Sequence, residues 1–132
     1  MRELSVLIVE DDEDFRALMR EALEREGFRV REAHDGQEAL AVLRASEGSR
    51  CLVLLDLMMP GMTGWEFVAA VRSDPRLRAN PIVLTTVVPE DAPWAVDAIL
   101  QKPFDLETLV QTVERYCSRD PVPAQAAAAS PC

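Results

Sequence analysis

The sequence predicts an α/β fold in which helices cover both faces of a parallel β-sheet. Five short apolar runs alternate with stretches of helical periodicity, the pattern of a chain that crosses between parallel strands through helices. The central run, Cys51–Leu55, is apolar without interruption, which is typical of a strand buried on both faces. Asp56 follows it directly, and Pro60 and Gly61 then break regular structure, so its carboxylate is predicted at the mouth of a loop. Taken alone, an Asp in this position is more often a turn or cap residue.

The first strand and the first helix are predicted near the N-terminus. Leu4–Val9 is a short apolar run with strand character. Apolar residues then recur at helical spacing, at Phe15, Leu18, Met19, Ala22 and Leu23. Gly27 is the expected end of this helix, and the acidic residues predicted in its first turn, Asp12 to Asp14, suit the positive end of its dipole. The dipole does not explain Glu10 and Asp11, which follow the strand.

A second strand and two further helices come next. Phe28–Ala33 alternates enough to form a strand. One helix is predicted to begin at a capping box of Asp35 and Glu38, and the other at a capping box of Thr63 and Glu66, because each pair has the required spacing. The residues expected to point inward are Ala39, Leu40, Leu43, Phe67, Val68 and Val71.

The C-terminal half completes the alternation of strands and helices. Asp74–Pro75 is the expected end of the third helix. Pro81–Thr86 is the fourth predicted strand, Ala98–Gln101 the fifth, and Asp105 the cap of a last helix. The apolar face of that helix is predicted to hold Leu106, Leu109, Val110, Val113, Tyr116 and Cys117.

Composition limits the class of protein. At 132 residues the chain is expected to form one domain, residues 1–119, followed by a disordered Pro/Ala-rich tail, residues 120–132. The net charge of -9 argues against direct nucleic-acid binding. The three cysteines fit no zinc or disulfide framework. No membrane span or signal peptide is visible, so we expect a soluble, cytoplasmic protein.

Polar side chains follow four of the five predicted strands. They are Glu10 and Asp11, Asp56, Thr85 and the single lysine, Lys102. In open parallel sheets the ligand site lies beyond the carboxyl ends of the strands, so these groups are expected at one edge. Three carboxylates in close quarters repel unless a cation shares the site, and Mg²⁺ prefers such oxygen ligands. An aspartate there is able to accept a phosphoryl group as an acyl phosphate.

The motifs at these strand ends are Val9-Glu10-Asp11-Asp12, Ala33-His34-Asp35-Gly36, Leu55-Asp56-Leu57-Met58-Met59-Pro60-Gly61-Met62-Thr63-Gly64, Leu84-Thr85-Thr86 and Lys102-Pro103-Phe104. Through them the chain resembles the receiver domain of bacterial two-component response regulators over Glu3 to Ser118. The resemblance implies a doubly wound, five-stranded parallel sheet of flavodoxin-like order 2-1-3-4-5.

The resemblance also implies a role for each site residue. Asp56 corresponds to the phosphoacceptor, and Asp11 to a direct Mg²⁺ ligand with Glu10 as its partner through water. Met58 corresponds to a position that binds the metal through its backbone carbonyl.

Two further residues are assigned to the phosphoryl group by the same resemblance. Thr85 corresponds to a hydroxyl that turns toward the phosphoryl group, and Lys102 to the ammonium that pairs with it. The Lys102–Pro103 bond is expected to be cis, which is energetically accessible before proline.

Two departures from the family are visible. Ile99 stands where these domains usually have an aromatic residue, which puts the usual aromatic-threonine switch in doubt. The fourth helix is expected to be shortened or irregular, because only Val87 to Asp97 remain for it and they include Pro89 and Pro93. The usual partner surface is therefore predicted to be altered.

Three functions stay open at this point. The leading one is a stand-alone receiver that takes a phosphoryl group from a histidine kinase or phosphotransfer protein onto Asp56 and acts on an unknown downstream protein. The second is a receiver-like binding module that works without phosphorylation, which the irregular segment favours. The third is a magnesium-dependent phosphatase, and Met58 argues against it because its side chain cannot act as a general acid.

Overall fold

Five parallel strands form one sheet in the computed structural model, which describes residues 5–46, 49–92 and 95–117. The strands are β1 (Ser5–Val9), β2 (Val30–Ala33), β3 (Cys51–Asp56), β4 (Ile82–Thr86) and β5 (Ala98–Gln101). The helices are α1 (Glu13–Arg25), α2 (Gly36–Ala45), α3 (Gly64–Ser73) and α4 (Leu106–Cys117). The strand order β2-β1-β3-β4-β5 confirms the order that the resemblance implied. The predictions for Leu4, Pro93 and the tail from residue 120 lie outside the described residues.

The central strand β3 is buried along its whole length, as its apolar sequence predicted. It pairs with β1 on one side and with β4 on the other, in a register that places Asp56 opposite Thr85. The strand extends to Asp56, one residue beyond the prediction, because the Leu57 N–H continues the pairing by donating to the Thr85 carbonyl oxygen.

The core consists of two layers, one on each face of the sheet. On one face α2 and α3 pack on the strands through the side chains predicted to point inward, including Leu40 and Phe67. On the other face α1 and α4 pack through Met19, Leu109 and Val113. Both faces are covered, which is the arrangement that a parallel sheet requires.

Helix starts are set by side-chain caps, and one of the two predicted capping boxes needs correction. Thr63 and Glu66 form the complete capping box. Asp35 caps α2, but the reciprocal bond is absent because the Glu38 carboxylate accepts from the His34 N–H instead. Helix α1 begins at Glu13, so the acidic residues lie at its start as predicted, and the Asp12 side chain caps it by accepting from the backbone N–H three residues on.

Three other predictions were wrong in detail. Strand β2 begins at Val30, because the Phe28 N–H still donates to the carbonyl oxygen of Leu23 at the end of α1. Leu18, predicted on the buried face of α1, is 51% exposed. Leu106, predicted on the buried face of α4, is 37% exposed. The apolar stripe of each helix is therefore wider than the strip that contacts the sheet.

The crossover between β4 and β5 contains one 3-10 turn, Pro89–Asp91, within its described part, which fits the prediction of a shortened or irregular fourth helix. The Trp65 indole of α3 donates to the Asp91 carbonyl oxygen at 2.9 Å. The Arg72 guanidinium of α3 donates to the Ala95 carbonyl oxygen and pairs with the Asp97 carboxylate, both just before β5. The crossover is therefore attached to α3 at two places. Among the described residues no helix is long and apolar enough to cross a membrane.

Candidate functional site

Three carboxylates meet at the carboxyl edge of the sheet. Glu10 and Asp11 follow β1, and Asp56 ends the adjacent strand β3. Each side chain has an oxygen within 4.8 Å of an oxygen of the other two. Glu10 and Asp56 are buried, with 2% and 6% of their surface exposed, whereas Asp11 is open to solvent. The cluster is thus open to solvent on the side of Asp11.

The single lysine joins this group from the end of β5. Its Nζ lies 3.2 Å from the Glu10 Oε1 and 3.6 Å from the Asp56 Oδ1. The peptide bond between Lys102 and Pro103 is cis, as the resemblance implied. The ammonium also lies 5.1 Å from the centre of the Phe15 ring, over its face.

Burial is the main cause of the pKa shifts of the two buried carboxylates, Glu10 and Asp56. It raises the pKa of Glu10 to about 7, and the nearby Asp56 charge adds to the rise, while the Asp12 N–H and the Lys102 ammonium oppose it. Burial also raises the pKa of Asp56, against the ammonium of Lys102 and the Met58 N–H, which donates to its Oδ1 at 3.2 Å. One ammonium faces three carboxylates, so the cluster carries an excess of negative charge when all three are ionised.

The other two predicted site residues lie beside this cluster. Thr85 is buried next to Asp56 in the sheet register, but its hydroxyl donates to the Leu55 carbonyl oxygen at 3.4 Å, away from the carboxylates. Met58 contacts Asp56 through its backbone N–H, and its side chain is 59% exposed. The structure thus joins four of the five predicted polar side chains directly, and Thr85 is adjacent to them.

Two residues near the site were not identified from the sequence. Arg16 donates from its guanidinium to the Glu10 carbonyl oxygen at 2.7 Å and pairs with Glu32 of β2. Phe15 lies under the Lys102 ammonium. Helical periodicity had explained Phe15 as a core residue, so the pattern gave no reason to seek a second role for it.

The donor set matches what a hard divalent cation requires. All three candidate ligands offer carboxylate oxygens, and with one ammonium present the ionised cluster has two negative charges in excess. A bound divalent ion would balance that excess and would oppose the rise that burial causes in the Glu10 pKa. A nucleophilic carboxylate, an ammonium and such an ion are the groups that acyl-phosphate formation uses.

Comparison with known proteins places the chain in a family. The family model of the response regulator receiver domain matches residues 6–114. The chain is 35% identical over 123 residues to the transcriptional regulatory protein ResD of Bacillus subtilis, covering 89% of this chain and 49% of ResD. It is 32% identical over 123 residues to the chemotaxis protein CheY of Pseudomonas aeruginosa, covering 88% of this chain and 98% of CheY.

Solved structures agree with the sequence comparison. A CheY-like response regulator receiver domain protein of Methanospirillum hungatei has a TM-score of 0.75 and 30% identity, covering 88% of this chain and 95% of the other. The chain spans about half of the length of ResD and nearly all of CheY. Both relatives are named for regulation or chemotaxis and not for an enzymatic reaction. The chain belongs to the response regulator receiver domain family of two-component signalling.

Proposed function

We propose that this chain accepts a phosphoryl group on Asp56 from the phosphohistidine of a histidine kinase or phosphotransfer protein. The resulting change is read by another protein through direct contacts. The observation that supports this proposal is the meeting of three carboxylates and the chain's only lysine at one edge of the sheet. The net charge of -9 fits a protein partner better than a nucleic acid.

The transfer has a simple balance of bonds. An Asp56 carboxylate oxygen attacks phosphorus, the bond from phosphorus to the donor imidazole nitrogen breaks, and an acyl phosphate remains on the chain. Asp56 must be ionised to attack, and Lys102 favours that state against the rise in pKa that burial causes. The same ammonium then faces the charge that develops on the phosphoryl oxygens.

Mg²⁺ is the proposed cofactor. Asp11 would bind it directly, Glu10 through water, Asp56 through a carboxylate oxygen and Met58 through its backbone carbonyl. A bound Mg²⁺ ion would neutralise phosphoryl oxygens during transfer. The three carboxylates and the one ammonium leave two negative charges in excess, which supports a divalent ion bound to these carboxylates.

Thr85 has to change its hydrogen bond to take part. Its hydroxyl donates to the Leu55 carbonyl oxygen, and the proposed role requires it to turn and donate to the phosphoryl group. Because threonine has few χ1 states, this is a single rotation within a buried position. The chain's own catalysis is limited to formation and hydrolysis of the acyl phosphate.

Intact mass after incubation with a small acyl phosphate and Mg²⁺ tests the proposal. We expect one added phosphoryl group on the wild type, and none on Asp56→Asn or in a Mg²⁺-free sample. A folded wild-type protein that binds Mg²⁺ and gains no mass, also when mixed with a phosphorylated phosphotransfer protein, would refute it. Turnover of a generic phosphate ester would instead support a phosphatase.

A binding module that works without phosphorylation is the second candidate. Two observations favour it: the crossover after β4 contains a single 3-10 turn in its described part, and Ile99, 42% exposed, replaces the usual aromatic residue. If Asp56→Asn keeps full affinity for a captured partner, and the acyl phosphate leaves wild-type affinity unchanged, this second function is correct.

A further inference from the structure

Within the described part of the chain, three groups surround the Lys102 ammonium. Two are the carboxylates of Glu10, at 3.2 Å, and Asp56, at 3.6 Å. The third is the ring of Phe15, whose centre is 5.1 Å from Nζ. A cation over an aromatic face at this distance is attracted by the negative charge of the ring face. Lys102 thus has one partner that carries no net charge.

The two kinds of partner respond differently to a bound cation. Glu10 and Asp56 both belong to the carboxylate group that is able to hold a metal ion. An ion there would neutralise these carboxylates and repel the nearby ammonium. Phe15 offers no ligand atom, so its attraction for the ammonium remains when the ion binds.

Phe15 is held beside Lys102 by one backbone hydrogen bond and by one ring contact. Its backbone N–H donates to the Asp12 carboxylate in the first turn of α1. Its ring packs on Phe104, with 5.7 Å between centroids and a tilt of 54°. Phe104 is two residues from Lys102 in the same loop. The loop that carries the lysine therefore also contacts the Phe15 ring directly.

We propose that Phe15 is a positioning residue, whose ring keeps the Lys102 ammonium beside Asp56 when Mg²⁺ occupies the carboxylates. This inference rests on the proposed function, because the ammonium is needed there to face the transferring phosphoryl group. Without the ring, the lysine side chain has to be brought back from solvent in each transfer, which slows the reaction.

A single signal reports the position of Lys102, because the chain has one lysine. Lysine labelled with ¹³C at Cε gives one side-chain resonance, and the ring current of Phe15 shifts its protons upfield of their position in the unfolded chain. We expect this shift in the wild type and in Phe15→Tyr, with and without saturating Mg²⁺, and its loss in Phe15→Leu. A wild-type signal at the unfolded-chain position when Mg²⁺ is bound would overturn the inference, whether or not the protein is phosphorylated.

Phosphorylation rates give the second readout. We expect Phe15→Leu to gain the phosphoryl group from a small acyl phosphate about fivefold more slowly than the wild type, equivalent to about 1 kcal/mol, with Phe15→Tyr restoring most of the rate. Phe28→Leu, the same change in the same core layer near the other end of α1, controls for loss of packing.

The outcomes separate the two proposals. If Phe15→Leu reacts as fast as the wild type, or Phe28→Leu is slowed as much, the role of Phe15 is wrong and the function of Asp56 stands. If the wild type is never phosphorylated, the proposed function fails, and the lysine signal alone decides whether the ring holds the ammonium.

Discussion

Glu10→Gln should make this domain more stable near neutral pH in the absence of Mg²⁺. Glu10 is almost completely buried, and burial raises the pKa of its carboxyl group from 4.5 to about 7. Between about pH 4.5 and about pH 7, Glu10 therefore keeps its proton in the folded protein and has released it in the unfolded chain. Glutamine has nearly the same shape and no charge to bury, so the variant avoids this penalty.

The sign and the size follow from the pKa values. Because the folded state binds the proton more tightly, the stability associated with Glu10 is complete below about pH 4.5 and is lost as the pH rises through about 7. At about 1.36 kcal/mol for each pKa unit, the rise from 4.5 to about 7 corresponds to a ceiling of about 3 kcal/mol. The titrations of Glu10 and Asp56 are linked, because the Asp56 charge is one cause of the raised Glu10 pKa, so we expect a measured difference of about 1–3 kcal/mol.

Urea unfolding of both proteins from about pH 4.5 to about pH 8, in buffer with a chelator, gives the free energy difference at each pH. Asp74 and Asp105 have pKa values lowered by backbone N–H hydrogen bonds, but they titrate below this range and are common to both proteins. A difference that stays constant over the range would refute the argument. Saturating Mg²⁺ should reverse the wild-type loss and leave Glu10→Gln with little gain.

Three further predictions concern the framework around the site, and urea unfolding measures each. Gly64→Ala should cost about 1–3 kcal/mol, because a Cβ there would lie 2.8 Å from the Leu57 Cα; an unchanged midpoint would contradict this. Thr63→Ala should cost about 1 kcal/mol through loss of the α3 cap, and Thr63→Ser should recover most of it, whereas an equal loss in both would exclude capping as the cause. Arg72→Leu and Asp97→Asn should show a coupling of about 1–2 kcal/mol in a double-mutant cycle, and additive losses would mean that their ion pair contributes nothing.

The sheet and the position of the site could be predicted from the sequence. An uninterrupted apolar run such as Cys51–Leu55 is typical of a strand buried on both faces, and parallel strands bring their carboxyl ends to one edge. That geometry is enough to bring Glu10, Asp11, Asp56 and Lys102 together. The strand order required the family resemblance, because periodicity does not say which strands are neighbours.

Side-chain detail could not be predicted, because it depends on contacts across the fold. Periodicity placed Leu18 with the core, but the part of α1 that touches the sheet is narrower than its apolar stripe. Glu38 has the spacing of a capping residue, yet its carboxylate accepts a hydrogen bond from the His34 N–H instead. The Thr85 hydroxyl bonds to the neighbouring strand, a choice of rotamer that no sequence spacing specifies.

The attachment of the crossover to α3 has a consequence for how this fold can vary. Arg72 bonds to Ala95 and Asp97 just before β5, and also to the Arg78 and Asn80 carbonyl oxygens just before β4. One side chain thus sets the entry points of two neighbouring strands. Since the free-energy cost of closing a loop rises by only about 0.6 kcal/mol for each doubling of its length, insertions in the loop that follows β4 cost little. The chain between β4 and β5 is therefore able to lengthen through evolution while the sheet keeps its register.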